Sequence, residues 1–216
     1  MVTIKKIMLC ALFLLTLGCI IKKHTNMRIL RWLARKSLQA LGWKLMGDLP
    51  PHIQQAVLIV APHTSNWDGV YGLLFCFAKR LPTRFAIKKE AMVFPLGWLL
   101  KRLGAVPIDR KRKRDNTQQG SMAKAMAALF QQQKPLVLII APEGTRSRVA
   151  RWRLGFYHIA QQAQVPIVLS YIDYAKKHIG LGPVFYPTGV LDEDLRQLQA
   201  FYKDIQGKYP AQSMPL

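Results

Sequence analysis

Acidic residues are scarce in this sequence of 216 residues. There are 11 Asp and Glu against 32 Lys and Arg, which gives a formal net charge of +21. An excess of this size excludes a neutral cytosolic enzyme with an even surface. It indicates an anionic partner, such as nucleic acid, phospholipid head groups or a phosphorylated substrate.

Cysteine is also rare, since the chain has only Cys10, Cys19 and Cys76, two of them in one apolar N-terminal run. This count argues against a disulfide framework and against a zinc site built from cysteines. We predict no metal site and no cofactor. Half of the residues are nevertheless apolar, enough for a single domain with a full core.

The first 26 residues form a segment of their own. An apolar run over residues 7–21 is flanked by pairs of lysines, and at about 1.5 Å per residue it is shorter than a hydrocarbon core of about 30 Å. The run is typical of a short membrane anchor, an interfacial helix or a signal-like segment. Alternatively, Met27 is the true start and residues 1–26 are an over-long reading frame.

The next segment, residues 27–50, is predicted to be an amphipathic basic helix, with its helical pattern over residues 28–46. One face of a 3.6-residue wheel is apolar, with Leu30, Leu33, Ala34, Leu38, Leu41 and Leu45. Arginines and tryptophans occupy the remaining arcs, namely Arg28, Arg31, Arg35, Trp32 and Trp43. The pattern fits a helix in a membrane interface, or an ordinary surface helix that packs its leucines on the core.

Residues 51–216 alternate apolar strands with helices, and this order predicts one α/β domain. The predicted strands are 57–61, 85–87, 105–108, 136–141, 165–171 and a weak edge strand 179–185, broken by Gly180, Gly182 and Pro183. The predicted helices are 69–78, 96–103, 118–132, 155–164 and 192–206. The last helix has acidic residues in its first turn, where negative charge is favourable.

Two of the predicted strands end in a similar way. One runs through Ala61-Pro62 into His63-Thr64-Ser65-Asn66-Trp67-Asp68, and the other runs through Ala141-Pro142 into Glu143-Gly144-Thr145-Arg146-Ser147. Ligands of open α/β sheets bind at the carboxyl ends of the strands. We therefore expect these two turns to face one crevice.

His63 and Asp68 are the candidate pair for proton transfer. With His63 on the turn and Asp68 in the first helical turn, the carboxylate can bond one ring nitrogen and raise the basicity of the other. Ser65 and Asp68 also have the spacing of a capping box, so Asp68 can instead be a helix cap alone. The sequence has no G-x-S-x-G nucleophile elbow, so an acyl-transfer site here has to use the hydroxyl of the acceptor.

The second turn and the basic runs are candidates for anion binding. Glycine permits a tight turn, threonine and nearby amides can bond oxyanions, and Arg146 can hold a phosphate. The alternative is a capped turn with an Arg–Glu pair. Arg110 follows another strand and opens the basic run 110–114, while 146–153 is also rich in arginine. These runs are either solvated loops or attractors of phosphate and anionic lipid.

Together these residues resemble the glycerolipid acyltransferase family, which includes the 1-acylglycerol-3-phosphate acyltransferases. Four family motifs occur in order: H-x4-D at 63–68, a second motif from 94–98 through Gly104 to 108–110, E-G-T-R-S at 143–147, and V-P-I-V at 165–168. The resemblance covers roughly residues 57–190. Four ordered motifs are far more specific than any one of them.

The resemblance implies a fold and roles for the site residues. It implies an α/β fold with a mixed, mostly parallel sheet flanked by helices, and an N-terminal membrane-associated helical segment. His63 is expected to be the base and Asp68 its partner. The residues expected around the phosphate of the acceptor are Arg110, Glu143, Gly144, Thr145 and Arg146.

The implied reaction moves a fatty acyl group from acyl-CoA or acyl-carrier protein to the hydroxyl of a lysophospholipid, with 1-acylglycerol-3-phosphate as the first candidate acceptor. The implied mechanism has no acyl-enzyme intermediate. The implied location is the cytoplasmic face of the cell membrane, on an anionic membrane surface. One alternative is acylation of another lysolipid, such as a lyso-ornithine lipid. A second is a non-enzymatic basic module that binds anionic membrane or nucleic acid, although no nucleic-acid-binding signature is present and we expect no nucleic-acid partner.

Overall fold

The computed structural model describes residues 27–88, 90, 92–93, 96–108 and 116–214. The segment predicted for residues 1–26 lies outside the described residues. So do Arg110, the basic run that it opens, and parts of the second motif. Residues 27–50 are described without a gap, and the predicted domain from residue 51 onward is described apart from the gaps between these ranges and residues 215–216.

The described helices and strands alternate along the chain. The helices are α1 Met27–Ala40, α2 Asn66–Lys79, α3 Leu96–Arg102, α4 Asn116–Gln132, α5 Gly155–Ala163 and α6 Leu191–Ala200. The strands are β1 Lys44–Met46, β2 Gln55–Val60, β3 Thr83–Lys88, β4 Ala105–Ile108, β5 Leu136–Ile140, β6 Ile167–Asp173 and β7 His178–Phe185. A short 3-10 helix, Pro210–Gln212, lies near the end.

In this part of the chain, seven strands form one sheet in the order β1-β7-β6-β2-β5-β3-β4. Neighbouring strands run parallel, except that β6 and β7 are antiparallel. The fold is therefore α/β with a mixed, mostly parallel sheet, as the sequence predicts. None of the helices within the described ranges combines the length and the apolar character needed to cross a membrane.

Both faces of the sheet are covered, and strand β2 lies in its middle. Val57 and Ile59 of β2 belong to the core under α4 and α5, which also contains Phe156. Leu58, between them, points to the opposite core, where it shares a cluster with Phe75 of α2. A parallel strand covered on both faces is apolar at every position, which explains the continuous apolar run of β2.

Helix α1 is shorter than the sequence pattern predicts. It ends at Ala40, and the chain then turns through Gly42 at a φ of +81°. The amide of Trp43 donates to the carbonyl oxygen of Leu38 at 2.9 Å, which is the hydrogen bond of a Schellman ending. The turn redirects the chain, so Lys44–Met46 forms strand β1 beside β7, and the predicted helix over 28–46 is wrong for residues 41–46.

Two further predictions are corrected near the C-terminus. Strand β7 is a full strand inside the sheet rather than a broken edge strand, since β1 pairs with its outer side. Gly180 does not break it, because a Cβ there would lie 2.7 Å from the Cβ of Met46, and glycine lets β1 approach. The last helix stops at Ala200, where Tyr202 turns into the core and its hydroxyl donates to the Ile59 carbonyl oxygen at 3.1 Å.

Candidate active site

The ends of β2 and β5 lie side by side, because these strands pair in parallel register up to Ile59 and Ile140. The two polar turns that follow are therefore neighbours. They are also joined directly, since the main-chain N–H of His63 donates to Oε2 of Glu143 at 2.8 Å. The structure thus brings both predicted turns to one edge of the sheet.

His63 and Asp68 are in contact. Nδ1 of His63 lies 3.1 Å from Oδ2 of Asp68, in the first turn of α2. The His63 side chain is 26% exposed and that of Asp68 is 2% exposed. A carboxylate can only accept, so Nδ1 is the donor in this contact, and in the corresponding neutral tautomer Nε2 presents its lone pair.

Asp68 is a helix cap as well as the partner of His63. Its Oδ2 also accepts from the main-chain amides of Thr64 at 2.9 Å and Ser65 at 2.8 Å. Ser65 is the N-cap residue, its Oγ accepts from the amide of Trp67 at 3.2 Å, and the reciprocal bonds between Ser65 and Asp68 form a capping box. The two interpretations left open by the sequence therefore coexist, and the cap fixes the carboxylate that faces the imidazole.

The other oxygen of Asp68 has a partner that the sequence pattern did not indicate. The hydroxyl of Tyr174 donates to Oδ1 of Asp68 at 2.6 Å. Burial, followed by the hydrogen bond to Asp68, raises the pKa of Tyr174 far above its ordinary value, so this hydroxyl stays protonated. Tyr174 follows β6 and is 106 positions from Asp68, so no local motif contains both.

Glu143 is buried beside His63 and is 3% exposed. Burial raises the pKa of its carboxyl above the ordinary value of 4.5, while the hydrogen bond from the His63 amide partly opposes that shift. A cavity of about 100 Å³ lies next to it, with Pro62, Trp152 and Met214 among its lining residues. Glu143 therefore holds the two turns together and also forms part of the wall of this cavity, which His63 does not line.

The rest of the second turn presents glycine and arginine to the surface. Gly144 has a φ of +66°, and a Cβ there would lie 2.9 Å from Cδ and Nε of Arg153. Glycine therefore lets the Arg153 side chain lie directly on the turn. Thr145 accepts from the amide of Ser147 at 3.3 Å, and Arg146 is exposed.

The C-terminal segment covers the first turn, which the sequence pattern also did not indicate. The amide of Tyr209 donates to Oγ1 of Thr64 at 3.2 Å. Beside it, Nζ of Lys208 lies 5.3 Å from the ring centroid of Trp67. Lys208 and Tyr209, from far along the chain, therefore contact the first turn at Trp67 and Thr64.

At this site a buried carboxylate orients an imidazole at the carboxyl edge of a mostly parallel sheet, an arrangement that can serve general-base chemistry. No group of three or more His, Cys, Asp or Glu side chains that could hold a metal ion occurs among the residues that the structure describes. The fold and the His–Asp pair together are typical of an α/β enzyme.

Residues 44–172 match the family model described as Acyltransferase, and the chain belongs to that family. Its curated relatives include the 1-acyl-sn-glycerol-3-phosphate acyltransferases of Limnanthes douglasii, 32% identical over 121 residues, and of Limnanthes alba, 31% identical over 121 residues. Each alignment covers 54% of this chain and 41% of the relative. The chain therefore spans less than half the length of these relatives.

Among solved structures, the chain is similar to the crystal structure of the 1-acyl-sn-glycerophosphate (LPA) acyltransferase PlsC from Thermotoga maritima. The TM-score is 0.58 at 16% sequence identity, and the match covers 93% of this chain and 94% of that one. At this identity the likeness shows the shared fold.

Proposed function

We propose that this protein is an O-acyltransferase that moves a fatty acyl group from a thioester to the free hydroxyl of a lysophospholipid, with 1-acylglycerol-3-phosphate as the first candidate. The donor is acyl-CoA or acyl-carrier protein. One observation supports this most directly: in a member of the acyltransferase family, the 3.1 Å contact between His63 and Asp68 orients a partly exposed imidazole. The names of the curated relatives support the choice of acceptor.

In the proposed mechanism His63 is the general base. Its Nε2 takes the proton of the acceptor hydroxyl as the oxygen attacks the thioester carbonyl carbon. The tetrahedral intermediate then collapses, the C–S bond breaks, and the imidazolium returns the proton to the leaving thiolate. The products are the acyl ester and the free thiol, and Asp68 holds the imidazole in the tautomer that both steps require.

The mechanism needs no nucleophile from the protein. Cys76 is buried in α2, and burial raises the pKa of its thiol to about 12. A thiol in that state is a poor nucleophile, since the thiolate is the reactive form. The acceptor hydroxyl therefore attacks the thioester directly, and no acyl-enzyme forms.

The phosphate of the acceptor is proposed to bind at the second turn, beside the His–Asp pair. Gly144 and Thr145 offer a tight turn, and Arg146 and Arg153 offer guanidinium groups that can hold phosphate oxygens. Arg110 is proposed to join them on the strength of the family resemblance. The formal charge of +21 would attract both this acceptor and an acidic carrier protein.

The protein is proposed to work on the cytoplasmic face of the cell membrane, where lysophospholipids reside. In α1 the leucine face packs inward through Leu30 and Leu38, which leaves Ile29 46% exposed and Trp32 59% exposed. Exposed apolar and basic side chains on one helix suit an anionic membrane surface. We propose residues 1–26 as an additional membrane-associated segment and residues 51–216 as the acyltransferase domain.

The test is acyl transfer by the full chain in vesicles that contain lysophosphatidic acid, with labelled acyl-CoA or acyl-carrier protein as donor and mass spectrometry of the products. We expect diacylated phosphatidic acid. His63→Ala should lower the rate by about 10²–10⁴-fold, the usual contribution of general-base catalysis. The matched control is His52→Ala, at an exposed histidine before β2, which should keep full activity.

The proposal fails if folded His63→Ala protein retains full activity. Product formation from a different lysolipid, with none from lysophosphatidic acid, would keep the reaction and replace the acceptor. Salt-dependent binding to duplex DNA without any acyl transfer would instead support a non-enzymatic basic module.

A further inference from the structure

Both carboxylate oxygens of Asp68 are engaged, and from different parts of the chain. Oδ2 accepts from the imidazole of His63 and from the two amides at the start of α2. Oδ1 accepts from the hydroxyl of Tyr174, which lies between β6 and β7. We propose that Tyr174 is a positioning residue of the site, which holds the Asp68 carboxylate in the plane that faces His63; this inference rests on the proposed function.

Geometry explains why a second anchor matters. The donors on Oδ2 restrain the carboxylate at one oxygen only, and a rotation about its Cβ–Cγ bond changes the direction of the lone pair that meets Nδ1. A donor on Oδ1 fixes the plane of the group. The 2.6 Å distance is typical of a hydrogen bond from a neutral hydroxyl to a charged oxygen, which is among the stronger kinds in proteins.

Tyr174 is itself held by groups outside the site. Its ring meets the ring of Trp43 edge-on, with centroids 5.1 Å apart at 85°, and it lies 6.3 Å from the ring of Tyr71. Its main-chain amide donates to the carbonyl oxygen of Gln206 at 2.9 Å. The position of the hydroxyl is therefore set by the core around Trp43 and by the C-terminal segment.

This arrangement also links the site to the edge of the sheet. Trp43 is buried because the chain turns at Gly42, and its ring also packs against Tyr71 at 5.0 Å. The turn after α1, helix α2 and the end of β6 thus meet around the ring of Tyr174, whose hydroxyl reaches the carboxylate. A side chain whose own surroundings are this well packed can hold a partner to within about 0.5 Å.

The first test is Tyr174→Phe, which keeps the ring and removes only the hydroxyl. We expect kcat to fall about tenfold, a decade being the scale of one hydrogen bond to a charged group. The KM values for acceptor and donor should stay unchanged, because Tyr174 acts on Asp68 and not on either substrate. The matched control is Tyr186→Phe, at an exposed tyrosine just after β7, which should leave kcat unchanged.

The second test is a double-mutant cycle with Asp68→Asn. If Tyr174 acts through Asp68, Tyr174→Phe should change kcat by less than about twofold in the Asp68→Asn background, so that the two effects are not additive. Fully additive effects would overturn the inference. A fall in the thermal midpoint with no change in kcat would also overturn it, because the hydroxyl would then serve stability alone.

Nuclear magnetic resonance provides readouts that do not depend on activity. The Nδ1–H proton of His63 should give a resolved downfield signal in the wild-type full chain, and this signal should broaden or shift in Tyr174→Phe and persist in Tyr186→Phe. Should Tyr174→Phe fail to fold, 3-fluorotyrosine labelling tests the same contact, since the Tyr174 fluorine resonance should shift on Asp68→Asn. An unmoved resonance overturns the inference.

These outcomes separate the two proposals. Full activity of His63→Ala would refute the proposed function, whatever Tyr174 does. An inactive His63→Ala protein together with a fully active Tyr174→Phe protein, whose His63 signal is unaltered, would refute only the role of Tyr174.

Discussion

The main-chain N–H of His63 donates a hydrogen bond to Oε2 of Glu143 at 2.8 Å, across 80 positions of sequence. The first residue of one motif is therefore bonded to the first residue of another. Because Glu143 is buried, this bond is shielded from water and fixes the backbone on which the imidazole is mounted. The geometry of the His–Asp pair thus depends on a residue that need not touch a substrate.

Replacing Glu143 distinguishes a backbone anchor from a group in the reaction. Glu143→Ala leaves the His63 amide without its acceptor and should destabilise the fold by about 1–3 kcal/mol, the cost of a buried unpaired donor. Glu143→Gln keeps a side-chain oxygen for that amide and should retain most of the stability. Chemical denaturation of both variants measures the difference, and equal losses in the two would show that the accepted hydrogen bond is not what Glu143 contributes.

The same residue gives a pH-dependent prediction. The pKa of Glu143 is raised in the folded protein, so the folded state binds a proton more tightly than the unfolded state does. The contribution of Glu143 to the free energy of unfolding therefore falls as the pH rises from about 4.5, the ordinary pKa of the carboxyl, through its raised pKa in the folded protein. The free energy of unfolding of Glu143→Gln should therefore increase relative to that of wild type over that rise in pH, and a constant difference would contradict the prediction.

The two roles of Asp68 can be separated with its neighbour in the capping box. Ser65→Ala removes the side-chain oxygen that accepts from the Trp67 amide and should cost about 1 kcal/mol of stability, with little change in kcat. Asp68→Asn keeps an oxygen for the cap but loses the negative charge, and it should lower kcat by about a hundredfold or more. Thermal unfolding and acyl-transfer rates on both variants test this, and a similar kcat for the two would mean that Asp68 is a cap only.

Sequence reasoning found the parts of the site that depend on local pattern. The apolar runs of β2 and β5 and the polar turns after them are visible in the sequence, and parallel pairing then brings His63 close to Glu143. Tyr174 could not be found in this way, since its link to Asp68 exists only once β6 lies beside β2. A tyrosine after a strand has no pattern that indicates a partner 106 positions away.

The error at the end of α1 has a local cause that can be tested. Leu41 and Leu45 continue the helical period of the earlier leucines, so the pattern alone favours a longer helix. Gly42, at a φ of +81°, overrides that pattern because a left-handed residue ends the helix. The apolar period shows which side chains face the core, but it does not show whether the backbone continues as a helix.

Gly42→Ala should therefore destabilise the protein by about 1–2 kcal/mol through backbone strain, although nothing lies within 4 Å of the added Cβ. The matched control is Gly72→Ala in α2, which also has nothing within 4 Å and no left-handed φ. Since alanine is the better helix former, that change should stabilise by about 0.5–1 kcal/mol. Urea midpoints of the two variants should move in opposite directions, and a neutral Gly42→Ala would show that the turn tolerates a side chain.

The exposed face of α1 provides a test of the proposed membrane contact. Trp32 and Ile29 are exposed although they are large and apolar, and Arg28 and Arg35 on the same helix are exposed beside them. Burial of the Trp32 and Ile29 side chains in a lipid interface is worth about 2–4 kcal/mol. The double variant Trp32→Ala, Ile29→Ala should therefore bind anionic vesicles at least about tenfold more weakly. Val190→Ala, at another exposed apolar residue, is the control and should bind as wild type does.

Binding should also weaken as salt is added, because the arginines attract the anionic surface. An unchanged affinity of the double variant would place the membrane contact elsewhere on the chain.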